Sequence, residues 1–107
     1  MEIINNNNFE EKVLNNNGVV LVDFFATWCG PCRMLTPVLE EVSEETEAKI
    51  YKVDIDESED LARRFGIMVV PTMIIFKDGK EQEKFSGYMQ KEDILDKLNN
   101  FSKNLKC

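Results

Sequence analysis

The sequence contains no histidine, only three cysteines, and fewer basic than acidic side chains. Lys and Arg together number 13 against 20 Asp and Glu, which gives a formal net charge of -7. Phosphate backbones and anionic lipid headgroups repel such a surface, so we expect neither nucleic-acid binding nor electrostatic attachment to a membrane. No apolar stretch is long enough to span a bilayer.

The start of the chain also lacks a recognisable targeting signal. Residues 1–4 lead straight into an asparagine run, without the basic start and apolar core of a secretory signal. We therefore expect a cytoplasmic protein. In a reducing cytosol, a close pair of cysteines serves catalysis or metal binding more often than it forms a structural disulfide.

The shortage of ligands weighs against the metal alternative. A zinc site usually needs four ligands, and besides Cys29 and Cys32 only Cys107 remains, with no histidine. We expect no bound metal. Cys107 is the last residue, and it is expected to be either an inert thiol or a cysteine that pairs between chains under oxidising conditions.

The order of predicted elements indicates one α/β domain over residues 1–107. Runs of β-branched and aromatic residues predict five strands, at residues 2–4, 19–26, 49–54, 72–76 and 80–86. Apolar spacing predicts four helices: one at residues 9–14, one that begins at the cysteine pair and runs to about residue 46, one at 58–65 and one at 91–102. Asn8, with Glu11 three residues later, is expected to cap the first helix.

This order predicts a mixed sheet. Alternating strands and helices favour parallel pairing through the third strand, whereas Asp78-Gly79 is a hairpin signal that makes the last two strands antiparallel. The result is a central five-stranded sheet flanked by four helices. The last strand is mostly charged, which suits an exposed edge.

Cys29 and Cys32 lie where a buried strand turns into a helix. The first turn of a helix has unpaired N–H groups and partial positive charge, which favours a thiolate at Cys29. Cys32 lies one turn further in and should be less exposed, within disulfide distance of its partner. A C-x-x-C beside a β-α-β pattern is typical of a thioredoxin-like redox motif.

The pentapeptide Trp28-Cys29-Gly30-Pro31-Cys32 is the active-site motif of the thioredoxin family, and later landmarks fit along essentially the whole chain. The sequence therefore resembles that family. The resemblance implies the thioredoxin fold and a general protein-disulfide reductase, a reversible dithiol–disulfide electron carrier that needs no cofactor. Cys29 would attack the substrate disulfide and Cys32 would resolve the mixed disulfide.

Two further residues are candidates for assisting this chemistry. Asp23 interrupts the apolar strand, where desolvation favours its protonated form. By resemblance, Asp23 takes a proton from Cys32 as that thiol becomes the attacking group. Lys52 matches a lysine beside this aspartate in many family members. The plainer alternatives are a satisfied structural carboxylate and a solvated strand lysine.

The resemblance also implies a substrate-binding surface around Cys29, made of Trp28, Val69, Val70, Pro71, Gly87 and Tyr88. It implies a cis bond before Pro71, where a trans proline at a strand start is the alternative, and a backbone at Val70 that pairs with an extended substrate. The chain departs from the family at Phe25, where many bacterial members have Trp. It also departs at Val69, a position usually occupied by Gly, Ser or Ala, and a branched side chain there is expected to change substrate preference.

Other functions remain open alternatives. Disulfide oxidases and isomerases with this fold typically carry a histidine where this chain has Gly30-Pro31, so a reductant is favoured. A non-catalytic subunit that only uses the fold leaves no mark in the sequence. The expected partners are client proteins with disulfides and a thioredoxin reductase that draws on NADPH or ferredoxin, and the chain is expected to be a monomer.

Overall fold

A computed structural model describes residues 1–103, and Cys107 lies outside the described residues. Its strands are β1 (Glu2–Ile4), β2 (Val19–Phe25), β3 (Lys49–Asp54), β4 (Thr72–Lys77) and β5 (Lys80–Ser86). Its helices are a π-helix (Glu10–Leu14), α1 (Gly30–Glu45), α2 (Glu59–Arg64) and α3 (Lys91–Lys103). All the predicted elements are present, with ends that differ by a few residues at most.

The five strands form one mixed sheet in the order β1-β3-β2-β4-β5. β1 and β2 both pair with β3 in parallel, while β4 pairs antiparallel with β2 and with β5. The predicted switch from parallel to antiparallel pairing is therefore confirmed. The charged strand β5 is an edge strand, as its composition predicted.

Helices cover both faces of this sheet. On one face, the π-helix and α2 bury Phe9, Val13 and Leu61 against alternate residues of β2 and β4. On the other face, α1 and α3 bury a second apolar cluster, which includes Leu35 and Ile94. Strand β2 lies between the two cores, and all seven of its residues are buried, which explains its nearly continuous apolar sequence.

The first helix differs from its prediction. The side chain of Asn8, the expected cap, accepts a hydrogen bond from the Asn5 backbone N–H at 2.8 Å and does not cap the helix. The N-cap position is occupied by Phe9, whose side chain makes no capping hydrogen bond. The cap prediction was wrong because the asparagine run folds back into its own turn, with the Phe9 amide donating to the Asn5 carbonyl at 3.0 Å.

Helix α1 carries the predicted cysteine motif at its first turn and continues through Pro37. It starts at Gly30, directly after Cys29, as predicted, and Pro31 occupies its first turn. Over residues 1–103, none of the helices has the length and apolar character needed to cross a membrane.

Candidate active site

The cysteine pair lies at the end of the central strand. β2 ends at Phe25, the Cys29 amide donates to the Ala26 carbonyl at 3.2 Å, and α1 begins one residue later at Gly30. Cys29 is the N-cap of α1, with an extended backbone, and Pro31 occupies the first turn, where no N–H is required. The strand-to-helix turn therefore places Cys29 at the positive end of a 16-residue helix.

Cys29 and Cys32 form a disulfide in this structure, with their Cα atoms 5.3 Å apart. The Cys32 backbone N–H points at Cys29 and lies 3.2 Å from its Sγ atom. Cys29 is 5% exposed and Cys32 is 2% exposed, which confirms the predicted order. After reduction, the same N–H is placed to stabilise negative charge on the outer sulfur.

Asp23 lies in the middle of β2 and, by strand alternation with Leu21, on the face that α1 and α3 cover. Its side chain is fully buried, and within the described chain neither carboxyl oxygen has a hydrogen-bond partner. Burial raises the pKa of Asp23 from 3.8 to about 7, and the nearby charge of Lys52 opposes this rise. A carboxyl group with such a pKa can take up and release protons near neutral pH.

Lys52 is the register partner of Asp23 on β3 and is itself buried. Its ammonium donates to the Thr36 hydroxyl at 2.7 Å and lies 4.5 Å from the centre of the Phe25 ring. The Thr36 hydroxyl in turn donates to the Cys32 carbonyl at 3.3 Å. A hydrogen-bonded chain therefore runs from Lys52 to the inner cysteine.

A shallow depression of about 230 Å³ lies over this arrangement. Its lining includes Cys32, Arg33, Thr36 and Lys52. Because Cys32 itself lines this depression, water can approach the inner cysteine by a route separate from the depression beside Trp28.

The predicted substrate surface lies on the other side of Cys29. The Val70–Pro71 peptide bond is cis, as the resemblance implied, and the Val70 carbonyl oxygen is 3.7 Å from the Cys29 Sγ atom. Next to Val70 lies a depression of about 270 Å³, which is lined by Trp28, Ile55, Ile67, Met68, Val69 and Val70. Met68 is 90% exposed and Val69 is 57% exposed, so this depression has an apolar rim open to solvent.

Trp28 is held at the edge of this depression by a residue of another loop. Its indole N–H donates to Asp56 Oδ2 at 2.9 Å, although the ring as a whole is 66% exposed. Asp56 is positioned in turn, since its amide donates to Asp54 Oδ1 at 2.9 Å. An exposed indole fixed in this way offers a flat apolar face to a bound segment.

Gly87 and Tyr88 are less closely joined to the disulfide. The Gly87 amide donates to the Pro71 carbonyl at 2.8 Å, which ties the end of β5 to the cis proline. Tyr88 follows and is exposed, but it lines neither of the two depressions beside the disulfide. The structure thus brings Trp28, Val69, Val70 and Pro71 together, and it leaves Tyr88 further out.

Three neighbours of the site were not singled out from the sequence: Thr36, Asp56 and Met68. Thr36 looks like an ordinary helix residue, although it lies one turn after Cys32, and that spacing was the available signal. Asp56 lies in an acidic loop whose members look alike. Over residues 1–103, no three acidic, cysteine or histidine side chains cluster as metal ligands would.

Comparison with known proteins agrees with this arrangement. The profile of the thioredoxin family matches residues 1–100. The chain belongs to the thioredoxin family. It is 47% identical over 96 residues to a thioredoxin from Chlamydia muridarum (89% of this chain and 92% of the relative), and 41% identical over 99 residues to one from Rickettsia bellii (91% and 94%).

A solved thioredoxin has the same fold. A mutant thioredoxin from Halobacterium salinarum superposes with a TM-score of 0.88 at 37% identity, covering 94% of this chain and 88% of that one. The mixed sheet described above is therefore the thioredoxin fold. As a member of the thioredoxin family with its C-x-x-C pair in disulfide contact, the protein is a thiol–disulfide oxidoreductase that reduces disulfides.

Proposed function

We propose that Cys29 is the attacking cysteine and Cys32 the resolving one in the reduction of protein disulfides. The Cys29 thiolate attacks one sulfur of a client disulfide, forming a mixed disulfide and releasing the other client sulfur as a thiolate. Cys32 then attacks Cys29, forming the intramolecular disulfide and releasing the second client thiolate. The client gains two electrons and two protons, and the chain loses them.

The observation that carries this assignment is the Cys32 N–H directed at Cys29 Sγ in the first turn of α1. Among the contacts of residues 1–103, only the outer sulfur accepts a backbone N–H in this way, and it also lies beside Val70 at the apolar depression. Cys32 is one turn inside, so a client meets Cys29 first. The two sulfurs therefore differ both in charge stabilisation and in access.

We assign Asp23 as the proton acceptor for Cys32, acting directly or through one water. The inner thiol must lose a proton to become a nucleophile, and it lacks the helix-end position of Cys29. Asp23 is buried on the face of the sheet that α1 and α3 cover, and its raised pKa suits proton uptake near pH 7. Lys52 modulates this carboxyl group by its charge, and Gly30 and Pro31 shape the turn.

The apolar depression and the half-buried Val70 beside Cys29 suit an extended client segment that presents a disulfide. We propose that Trp28, Val69, Val70 and Pro71 contact this segment, with Gly87 and Tyr88 at the margin. A thioredoxin reductase, linked to NADPH or to ferredoxin, returns the electrons. The protein is proposed to act as a monomer, without a metal or cofactor, in the cytoplasm.

The test is reduction of insulin disulfides driven by dithiothreitol. The native protein should accelerate the reaction, Cys29→Ser should abolish the acceleration, and Cys32→Ser should accumulate a mixed disulfide on Cys29. Brief alkylation of the reduced protein near neutral pH, read by mass spectrometry of the peptides, should label Cys29 before Cys32.

Two results would count against the assignment. Full turnover by the Cys29→Ser protein would exclude Cys29 as the nucleophile, and faster labelling of Cys32 would reverse the two roles. An oxidase or isomerase would instead show a markedly less negative reduction potential when equilibrated with glutathione.

A further inference from the structure

The ammonium of Lys52 is hydrogen-bonded to Thr36 and not to its register partner, Asp23. Asp23 and Lys52 are opposite each other on β2 and β3, but the Lys52 ammonium is bonded to Thr36, and both Asp23 oxygens lack partners within the described chain. A lysine chain is long enough to turn toward either group. The Thr36 hydroxyl therefore competes with the Asp23 carboxyl group for one cation.

We propose that Thr36 is a positioning residue that holds the Lys52 ammonium beside α1 and away from the Asp23 carboxyl group. The hydroxyl is suited to this task because it accepts from Lys52 at 2.7 Å and donates to the Cys32 carbonyl at 3.3 Å. Its own orientation is thus fixed by the helix backbone. The Phe25 ring lies under the ammonium at 4.5 Å and adds a second favourable contact at the same place.

The surroundings of Asp23 leave Lys52 as the cation with the strongest influence. Along the sheet, Asp23 has Lys52 of β3 and Met73 of β4 as register neighbours, and Asp54 lies two residues beyond Lys52 on the same face of β3. Arg33 lines the depression nearby, but its guanidinium donates to the Thr27 carbonyl at 2.9 Å. Asp54 accepts the Asp56 amide. Among these described neighbours, Lys52 is the cation that can move onto the carboxyl group.

This inference rests on the proposed role of Asp23 for its consequence, since keeping the ammonium apart lets the carboxyl group hold a proton near neutral pH. An ion pair would instead favour the carboxylate, because an opposite charge at close range stabilises the ionised form. A permanently ionised Asp23 would be a weaker proton acceptor for Cys32. Thr36 would thereby set the pH range of the resolving step.

The test is the titration of Asp23 in the oxidised protein, followed by the ¹³C chemical shift of its carboxyl carbon. The two cysteines do not titrate in this state, so their ionisation does not distort the curve. Thr36→Val removes the hydroxyl with little change of shape, and the midpoint should fall by about half a pH unit or more as Lys52 moves to the carboxylate. Thr36→Ser keeps a hydroxyl and should restore the native midpoint.

A double variant shows whether Thr36 acts through Lys52. In a Lys52→Met background, Thr36→Val should leave the midpoint unchanged, because no ammonium remains to be moved. A midpoint that stays constant or rises in Thr36→Val alone would overturn the inference. So would an equal fall with and without Lys52.

The rate of mixed-disulfide resolution as a function of pH, measured for the same variants, separates this inference from the proposed function. If Thr36→Val shifts both the Asp23 midpoint and the pH profile of the resolution rate, the inference about Thr36 and the proposed role of Asp23 are both supported. If the titration moves while the rate profile does not, Thr36 positions Lys52, but Asp23 is not the proton acceptor. If Thr36→Val leaves the titration unmoved while Asp23→Asn slows resolution, the role of Asp23 holds and that of Thr36 is excluded.

Discussion

Asp23 and Lys52 face each other across adjacent parallel strands, and no salt bridge joins them in the described chain. The carboxyl group is buried without a hydrogen bond, and the ammonium is bonded to a helix residue. A buried ion pair would have satisfied both groups. The arrangement instead leaves a titratable carboxyl group buried without a paired charge.

The first prediction concerns stability and pH. Between about pH 4 and pH 7 the folded chain holds a proton on Asp23 that the unfolded chain has released, since the pKa rises from 3.8 to about 7 on folding. Stability contributed by this group is therefore lost as the pH rises through that window and is constant above it. The amide of the Asp23→Asn variant does not titrate. The free energy of unfolding of this variant, measured relative to that of the native protein, should therefore rise with pH by roughly 2–4 kcal/mol.

Urea unfolding of the oxidised proteins at several pH values measures this difference. The difference in free energy of unfolding, variant minus native, should increase from pH 4 to pH 7 and stay constant above pH 7. A difference that is independent of pH would mean that Asp23 ionises in the folded chain as it does in the unfolded one.

The second prediction concerns the apolar depression. Val69→Gly should change the ratio of kcat/KM between two peptide disulfides, one with bulky and one with small neighbouring residues, by about threefold or more. Val69 lines the depression and is 57% exposed, while its carbonyl is held by the Thr72 hydroxyl at 2.7 Å. The rate with a small aromatic disulfide should stay unchanged, and Val69→Ala should be intermediate. Equal changes for all substrates would contradict this role.

The third prediction concerns the single tryptophan. Asp56→Ala removes the acceptor of the Trp28 indole N–H, and Asp56→Asn keeps one. The alanine variant should show lower fluorescence anisotropy of Trp28, and KM for a peptide disulfide should rise about twofold to fivefold, as expected for one lost hydrogen bond. Because Trp28 is the only tryptophan, the signal needs no deconvolution. An unchanged anisotropy would show that the ring is held by packing alone.

The fourth prediction concerns the β4–β5 hairpin. Gly79 has φ +80, and a Cβ atom there would run into the Leu14 carbonyl group at the end of the π-helix. Gly79→Ala should lower the free energy of unfolding by about 2–4 kcal/mol, through backbone strain and the steric conflict together. Gly66→Ala is the matched control, because its φ is +64 and, of the residues that the structure describes, only the flexible end of Lys84 lies within 4 Å of the added Cβ atom. Similar losses at both positions would mean that the contact with Leu14 carries no cost.

Much of the fold followed from local patterns. The continuous apolar run of β2 predicted a central strand, the charges of β5 predicted an edge, and Asp78-Gly79 predicted the hairpin between β4 and β5. These patterns succeed because each reports burial or backbone geometry that neighbouring residues determine. The cap at Asn8 was wrong because a run of asparagines offers several equivalent turns, and the sequence does not rank them.

The sequence by itself determined the reactive pair, since a cysteine at a helix start followed by a second one turn later is a local feature. It also determined the order of strands and helices. Only the tertiary structure decided which distant groups meet this pair: Thr36 with Lys52, and Asp56 with Trp28. Such contacts depend on strand register and side-chain direction, and a choice between two hydrogen-bond partners for one lysine is settled only when both are in place.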